Sequence, residues 1–316
     1  MRVPFVVNFV ASFVEIRIDE VRAKARDEGD LLGTIKQGLQ LATARFLETK
    51  SRTRSKKTLR TAITEVNEVT GTELDFFKKN GYLQLDDALT TEEVDFFRDL
   101  YDQDRAARSF FWRDAGLGCH QWLNCDSLIS SPEIDRLIRH PRLMAYVDEL
   151  MGAPTSLSEV CIRHMPAYEG EIMQSWHRDR PHKMDHPLRM GWIHIMVYLT
   201  DVDEGTHCFS ISPESIDEDI LLNPEEQLAR SGSVDIYGPA GTVALFNLSV
   251  MHTATVRPTM KERKTVQTYY GFQSGPPLSH HTTIPARLWR DHPDPEVRAF
   301  YGNLNDKSRL YAAAFG

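Results

Sequence analysis

The sequence predicts a mainly β core with flanking helices, an α+β arrangement whose strands close as a jelly roll. Two observations predict it. Between roughly residues 157 and 272, short apolar stretches alternate with turn-forming dipeptides, the pattern of many short strands in a sandwich or barrel. On either side, apolar residues recur at helical spacing. A chain of 316 residues, 41% hydrophobic and 26% charged, is long enough to bury a sizeable core.

Residues 1–73 read as a mostly helical extension, with Leu31, Leu32, Ile35, Leu39, Leu41 and Phe46 near helical spacing. Residues 74–316 read as one domain. Thr72 with Asp75 looks like a capped helix start, and Gly81 suits the left-handed position that closes Glu73–Asn80. Tyr82, Leu83 and Leu85 alternate as a strand. Thr90 or Thr91 caps a helix running to about Asp104, and a further helix spans Pro132 to Met151, broken at Pro141 and ended by Gly152. Six strands follow: Val160–Met165, Ile172–His177, Trp192–Leu199, Cys208–Ile211, Thr242–Phe246 and Thr265–Phe272. Glu169-Gly170, Asp203-Glu204-Gly205 and Gly238-Pro239-Ala240-Gly241 mark turns between them. The double-sheet jelly roll, which includes cupins, satisfies this many short strands. Pro285 to Gly316 reads as helical and irregular.

A net charge of −8 and a pI of about 5.9 argue against a general nucleic-acid binder. The apolar run Val3–Val14 is too short to span a bilayer, and its flanks make a poor secretory signal. Cys119, Cys125, Cys161 and Cys208 form no CxxC pair, so they read as buried thiols of a reducing, cytoplasmic compartment. No membrane partner is expected, and the oligomeric state is not legible.

The chemistry centres on Trp176-His177-Arg178-Asp179. Residues two apart on a strand share a face, so His177 and Asp179 would project together. An imidazole and a carboxylate supply two members of the two-histidine, one-carboxylate triad of non-haem iron(II) sites. By itself HxD is a weak signal. His252, placed at the end of the apolar strand from Gly241, is the candidate third ligand. Arg263 lies eleven positions later at the start of a strand, where its planar fork suits a carboxylate. Arg257 falls in a turn, and Lys264 should face away from Arg263.

Taken in order, these elements resemble the phytanoyl-CoA dioxygenase family of 2-oxoglutarate oxygenases. Four passages between Glu73 and Phe272 carry the likeness: Phe76 to Tyr82; His177-Arg178-Asp179; Tyr198 to Val202 leading to Pro213-Glu214-Ser215; and Gly241 to His252 with Arg263. The resemblance implies a double-stranded β-helix. It also implies Fe(II) held by His177, Asp179 and His252 as the catalytic centre, 2-oxoglutarate bound by Arg263, and O2 as the second cosubstrate. The activity implied is hydroxylation of an unactivated C–H bond of a small molecule, with release of succinate and CO2. Desaturation and cyclisation belong to the same chemistry. In related halogenases a small residue replaces the carboxylate, so Asp179 favours hydroxylation. Three positions depart from the family pattern. Glu214 and Ile216 interrupt a Pro-Gly-Ser-His element, His207 stands where a glycine is expected, and Ala254 stands where serine is frequent.

The loop with Arg178, Arg180, His182, Lys183, His186 and Arg189 would suit an anionic substrate. His194, Met196 and Tyr198 share a strand face that lines a cavity or fills the barrel. Trp176 walls the site or packs in the core, and His280-His281 reads as a surface pair without a spaced partner. Two alternatives accompany the oxygenase reading: a catalytically silent jelly-roll binding protein, and a cupin-like metal enzyme that does not use 2-oxoglutarate.

Overall fold

Thr70 caps the first helix, α1 (Gly71–Asn80), in the computed structural model, which describes residues 69–116 and 120–315. The expected helical extension lies outside the described residues up to position 68. The Thr70 hydroxyl accepts the Glu73 N–H at 3.2 Å, and the Glu73 carboxylate accepts the Thr70 N–H at 2.8 Å. This reciprocal pair needs Thr-x-x-Glu spacing, which Thr70 has and the expected cap, Thr72, lacks. Gly81 closes the helix at φ 75°. A Cβ there would also lie 2.5 Å from Val250 Cγ2, so only glycine lets this turn seat against the strand connection leading to His252.

Strand β1 (Tyr82–Leu85) follows as expected, then α2 (Thr91–Ala107), capped by Thr90 and Glu93 in the same manner. The helix expected from Pro132 to Met151 is instead a tight turn of 3-10 helix and two helices. After α3 (Ser127–Ser130) come α4 (Asp135–Ile138) and α5 (Pro141–Met151). Pro141 opens α5, where a missing N–H costs nothing, and Gly152 ends it at φ 62°.

The remaining strands are β2 (Arg113–Asp114), β3 (Trp122–Asn124), β4 (Thr155–Met165), β5 (Trp192–Tyr198), β6 (Cys208–Ile211), β7 (Val234–Ile236), β8 (Val243–Asn247), β9 (His252–Thr255) and β10 (Arg263–Phe272). They form two antiparallel sheets, ordered β1-β8-β5-β10-β4-β3-β2 and β7-β6-β9. The period-two rule decides which residues meet which layer. Ile193, Ile195 and Val197 of β5 pack with Phe97, Leu143 and Val147 on the helical side. Met196 and Tyr198, one residue out of phase, pack with Phe209, Ile211 and Phe246 between the sheets. The chain ends in helices α7 (Ala286–Trp289), α8 (Pro295–Phe300) and α9 (Asp306–Phe315), after α6 (Pro224–Ser231) in the β6–β7 connection. No helix among the described residues is long and apolar enough to cross a membrane.

Two sequence expectations fail near the site. Ile172–His177 is not a continuous strand; it pairs only through single bridges, Met173 with Val256 and His177 with His252. His252 does not end the strand from Gly241. That strand stops at Asn247, and His252 begins β9.

Candidate metal centre

His177 and His252 meet backbone to backbone. His177 N–H donates to the His252 carbonyl at 3.0 Å, and His252 N–H returns a bond to the His177 carbonyl at 2.9 Å. Residues opposed in this way carry their side chains on the same face, and the two ring centroids lie 4.6 Å apart. Asp179 joins them, with Oδ1 3.3 Å from His177 Nε2 and Oδ2 3.6 Å from His252 Nε2. Ligand atoms from the three residues all lie within 4.8 Å of one another. Bonds of about 2.0–2.2 Å to one ion place neighbouring donors on the order of 3 Å apart, so this set fits a single divalent cation.

The tautomers agree with that use. His177 Nδ1 lies 2.7 Å from the Ser175 carbonyl and His252 Nδ1 2.8 Å from the Val250 carbonyl. A carbonyl only accepts, so each Nδ1 carries a proton and each Nε2 is the ring nitrogen turned toward Asp179. On giving up its own proton to an incoming cation, Nε2 would offer its lone pair, with the carbonyls acting as outer partners do in metal sites. The hydrogen bond to Asp179 raises the pKa of His177 despite burial. Burial alone would raise the Asp179 carboxyl, but hydrogen bonds from His177 and His252 outweigh it and hold the group well below the usual carboxylate range. It is therefore ionised and ready to ligate.

Glu214 ties the two ligand segments together. Its carboxylate accepts from Arg178, the residue between His177 and Asp179, and from the Met251 N–H at 2.8 Å, next to His252. His182 lies 3.4 Å from its other oxygen. Arg178 also donates to the carbonyls of Ser249 and Leu221, both at 2.7 Å. Sequence reasoning noted Glu214 only within a family-like passage, as a departure from its glycine, because its partners come from two distant stretches of chain, Arg178–His182 and Met251.

Beside the ligands opens a cavity of about 410 Å³ lined by residues of both sheets. Arg263 reaches into it from the first position of β10 and is 2% exposed. Its Nε and Nη1 have no hydrogen-bond partner among the described residues. Burial depresses its pKa, yet a guanidinium does not lose its proton in a protein, so the site favours an incoming anion. The competing cations are paired: Arg257 with Asp235 at 2.5 Å, and Lys264 with Asp102 at 2.7 Å and Glu262 at 2.8 Å. Lys264 faces away from the cavity, as its strand position predicts.

His194 and Met196 line the same cavity, whereas Tyr198 packs between the sheets and donates to the Ile236 carbonyl. Burial first, and the charge of Arg163 second, keep His194 neutral. Trp176 is half-buried and bonded to Gln174. The basic loop is engaged within the protein. Besides Arg178, Arg180 donates to the Leu278 carbonyl, Lys183 pairs with Asp185, His186 contacts the Met151 carbonyl, and Arg189 donates to the Glu218 carbonyl. His281 has partners the sequence hid: with Cys125 and Glu159 it forms a second cluster of ligand-type side chains. Cys125, Cys161 and Cys208 are buried free thiols, as expected; Cys119 lies outside the described residues.

The fold is a jelly roll, and within it His177, Asp179 and His252 form a candidate two-histidine, one-carboxylate metal site. The chain belongs to the phytanoyl-CoA dioxygenase family, whose model matches residues 77–265. No curated sequence gives a significant match. Among solved structures, EctD from S. alaskensis with 2-oxoglutarate and 5-hydroxyectoine is 18% identical, with a TM-score of 0.56 over 79% of this chain and 90% of that one. The carbocyclase SnoK from nogalamycin biosynthesis is 17% identical, with a TM-score of 0.56 over 67% and 88%. HygX from Streptomyces hygroscopicus with nickel and 2-oxoglutarate is 19% identical, with a TM-score of 0.52 over 71% and 94%. At these identities the likeness shows the fold.

Proposed function

We propose that this protein is an Fe(II)- and 2-oxoglutarate-dependent dioxygenase that hydroxylates a C–H bond of a small molecule. His177, Asp179 and His252 hold the iron, and Arg263 takes the distal carboxylate of 2-oxoglutarate. The reading rests above all on one juxtaposition: three convergent ligand-type side chains beside a buried guanidinium that pairs with no carboxylate among the described residues. Three facial ligands leave positions open for cosubstrate and oxygen. The iron and keto acid, when bound, supply the oxidising chemistry, releasing succinate and CO2.

The protein's own residues do the positioning. The Ser175 and Val250 carbonyls fix the imidazoles, Glu214 fixes both ligand segments, and Arg263 orients the keto acid by its far end. The intact carboxylate at Asp179 favours hydroxylation over halogenation. Because the solved structures similar to this chain include an epimerase and a carbocyclase, the outcome on substrate depends on which C–H bond the cavity presents.

The test is conversion of 2-oxoglutarate to succinate in air with ferrous iron. The wild-type protein is expected to turn over slowly without substrate. His177→Ala and Asp179→Ala abolish turnover with the fold intact, and Arg263→Ala raises the 2-oxoglutarate concentration required by about tenfold or more. Full activity in His177→Ala would rule the reading out.

A further inference from the structure

A second guanidinium lines the cavity. Arg163 sits on β4, directly opposite Thr265 of β10, on the wall that also carries Gln121, Gln267 and Tyr269. Its partners are neutral. Nη2 donates to the Tyr269 hydroxyl at 3.0 Å, Nη1 lies 3.4 Å from Gln121 Oε1, and Nε has no partner among the described residues. Glu159, nearby on the same strand, is turned away to Ser279 and to His281 at 3.4 Å. Among the described residues no carboxylate forms an ion pair with Arg163, and the one carboxylate lining the cavity is Asp179.

The charges indicate what is missing. A divalent ion, the Asp179 carboxylate and two guanidinium groups, set against a doubly charged keto acid, leave one positive charge over. Burying that charge without a counter-ion is costly, and one more anion in the cavity removes the cost. The same wall holds a neutral hydrogen-bonding group. His194 stacks on Tyr269 with centroids 3.9 Å apart, and neither ring nitrogen has a partner among the described residues.

We propose that Arg163 is a substrate-binding residue that recognises a singly charged oxyanion, foremost a carboxylate, on the molecule to be oxidised. This rests on the oxygenase reading. It also relocates the anion preference suggested by the basic loop, whose side chains are engaged elsewhere, to the cavity wall. Arg163 would hold the substrate by its charged end while Arg263 holds the cosubstrate by its own, so the two guanidinium groups separate two carboxylic acids that share one cavity.

The test uses the Fe(II)–2-oxoglutarate protein under anaerobic conditions. Small carboxylic acids, each paired with its primary amide, are titrated while the visible absorption of the iron–keto acid complex is followed. At least one acid is expected to bind about tenfold or more tightly than its amide. Arg163→Gln should remove that advantage while leaving the dissociation constant for 2-oxoglutarate within about threefold. Arg163→Lys should keep part of it, because charge survives without the planar fork. The proposal is overturned if no acid in the panel binds, if acids and amides bind alike, if the preference survives in Arg163→Gln, or if that variant weakens 2-oxoglutarate as much as the acids. Absence of any 2-oxoglutarate-dependent absorption in the wild-type protein is a different result: it removes the oxygenase reading itself.

Discussion

Glu214 stands where the family pattern has glycine, and its carboxylate receives the side chain of Arg178 and the backbone of Met251. Both members of the Arg178–Glu214 pair are buried, at 9% and 6% side-chain exposure. Removing one partner of such a pair leaves the other charge uncompensated and costs on the order of 3–5 kcal/mol. Glu214→Gln is therefore expected to lower stability in urea by that order and to weaken Fe(II) binding at least about tenfold, because both ligand segments lose their common anchor. Unchanged metal affinity in a folded Glu214→Gln protein would show that the anchor is not used. At this scale the sequence was partly legible. The motif carried His177, Asp179 and Arg263 because each sits in a run with its own local signal. Glu214, Arg163 and the partners of His281 carry no such signal; their roles arise from contacts between stretches of chain that only the fold brings together.

The segment from Tyr168 to His177 illustrates the same limit for elements. It runs beside β9 and its continuation, but full backbone pairs occur only at Tyr168, Met173 and His177. Side chains fill the gaps: Ser175 N–H donates to Thr253 Oγ1 at 2.8 Å, and Gln174 Nε2 to Thr255 Oγ1 at 2.9 Å. Alternation of apolar residues therefore does not describe it, and the expected strand dissolves into bridges. Strands buried on both sides, such as β5 and β8, were legible as apolar runs, whereas β7 and β9, with three and four residues, were not. Thr253→Val keeps the shape and removes the acceptor for Ser175. The expected cost is about 1–3 kcal/mol, read by chemical denaturation, together with looser iron binding because Ser175 holds the Nδ1 proton of His177. A variant as stable and as tightly metallated as wild type would argue against this bracing.

Across the described residues, one sheet serves two layers. Its outer face takes the helices, and its inner face, with the small sheet, encloses the cavity. The layered arrangement was legible from strand number and spacing, but the pairing order was not, since register depends on which distant strands meet. Buried titratable groups make this assembly sensitive to acid. His207, fully buried, has one ring nitrogen 2.8 Å from the Pro166 carbonyl and accepts the Arg257 N–H at 3.1 Å with the other, so only its neutral form satisfies both bonds. Burial lowers its pKa to about 4 from an ordinary 6.5. The unfolded chain thus binds the proton more readily, and this contribution is complete above about pH 6.5 and is lost as pH falls toward 4. The loss is on the order of 3 kcal/mol at most. His207→Gln, which can donate and accept without taking a proton, is expected to unfold at lower pH in an acid titration followed by circular dichroism. An unchanged midpoint would place the acid sensitivity elsewhere.

The most direct measurement is the visible absorption spectrum of the protein with Fe(II) and 2-oxoglutarate in the absence of oxygen. Convergence of His177, Asp179 and His252 beside Arg263 predicts a charge-transfer band that needs both iron and keto acid. It also predicts loss of that band in His252→Ala, and a shift to much higher 2-oxoglutarate concentrations in Arg263→Ala. A band that never forms, or one that persists undiminished without His252, would contradict the account.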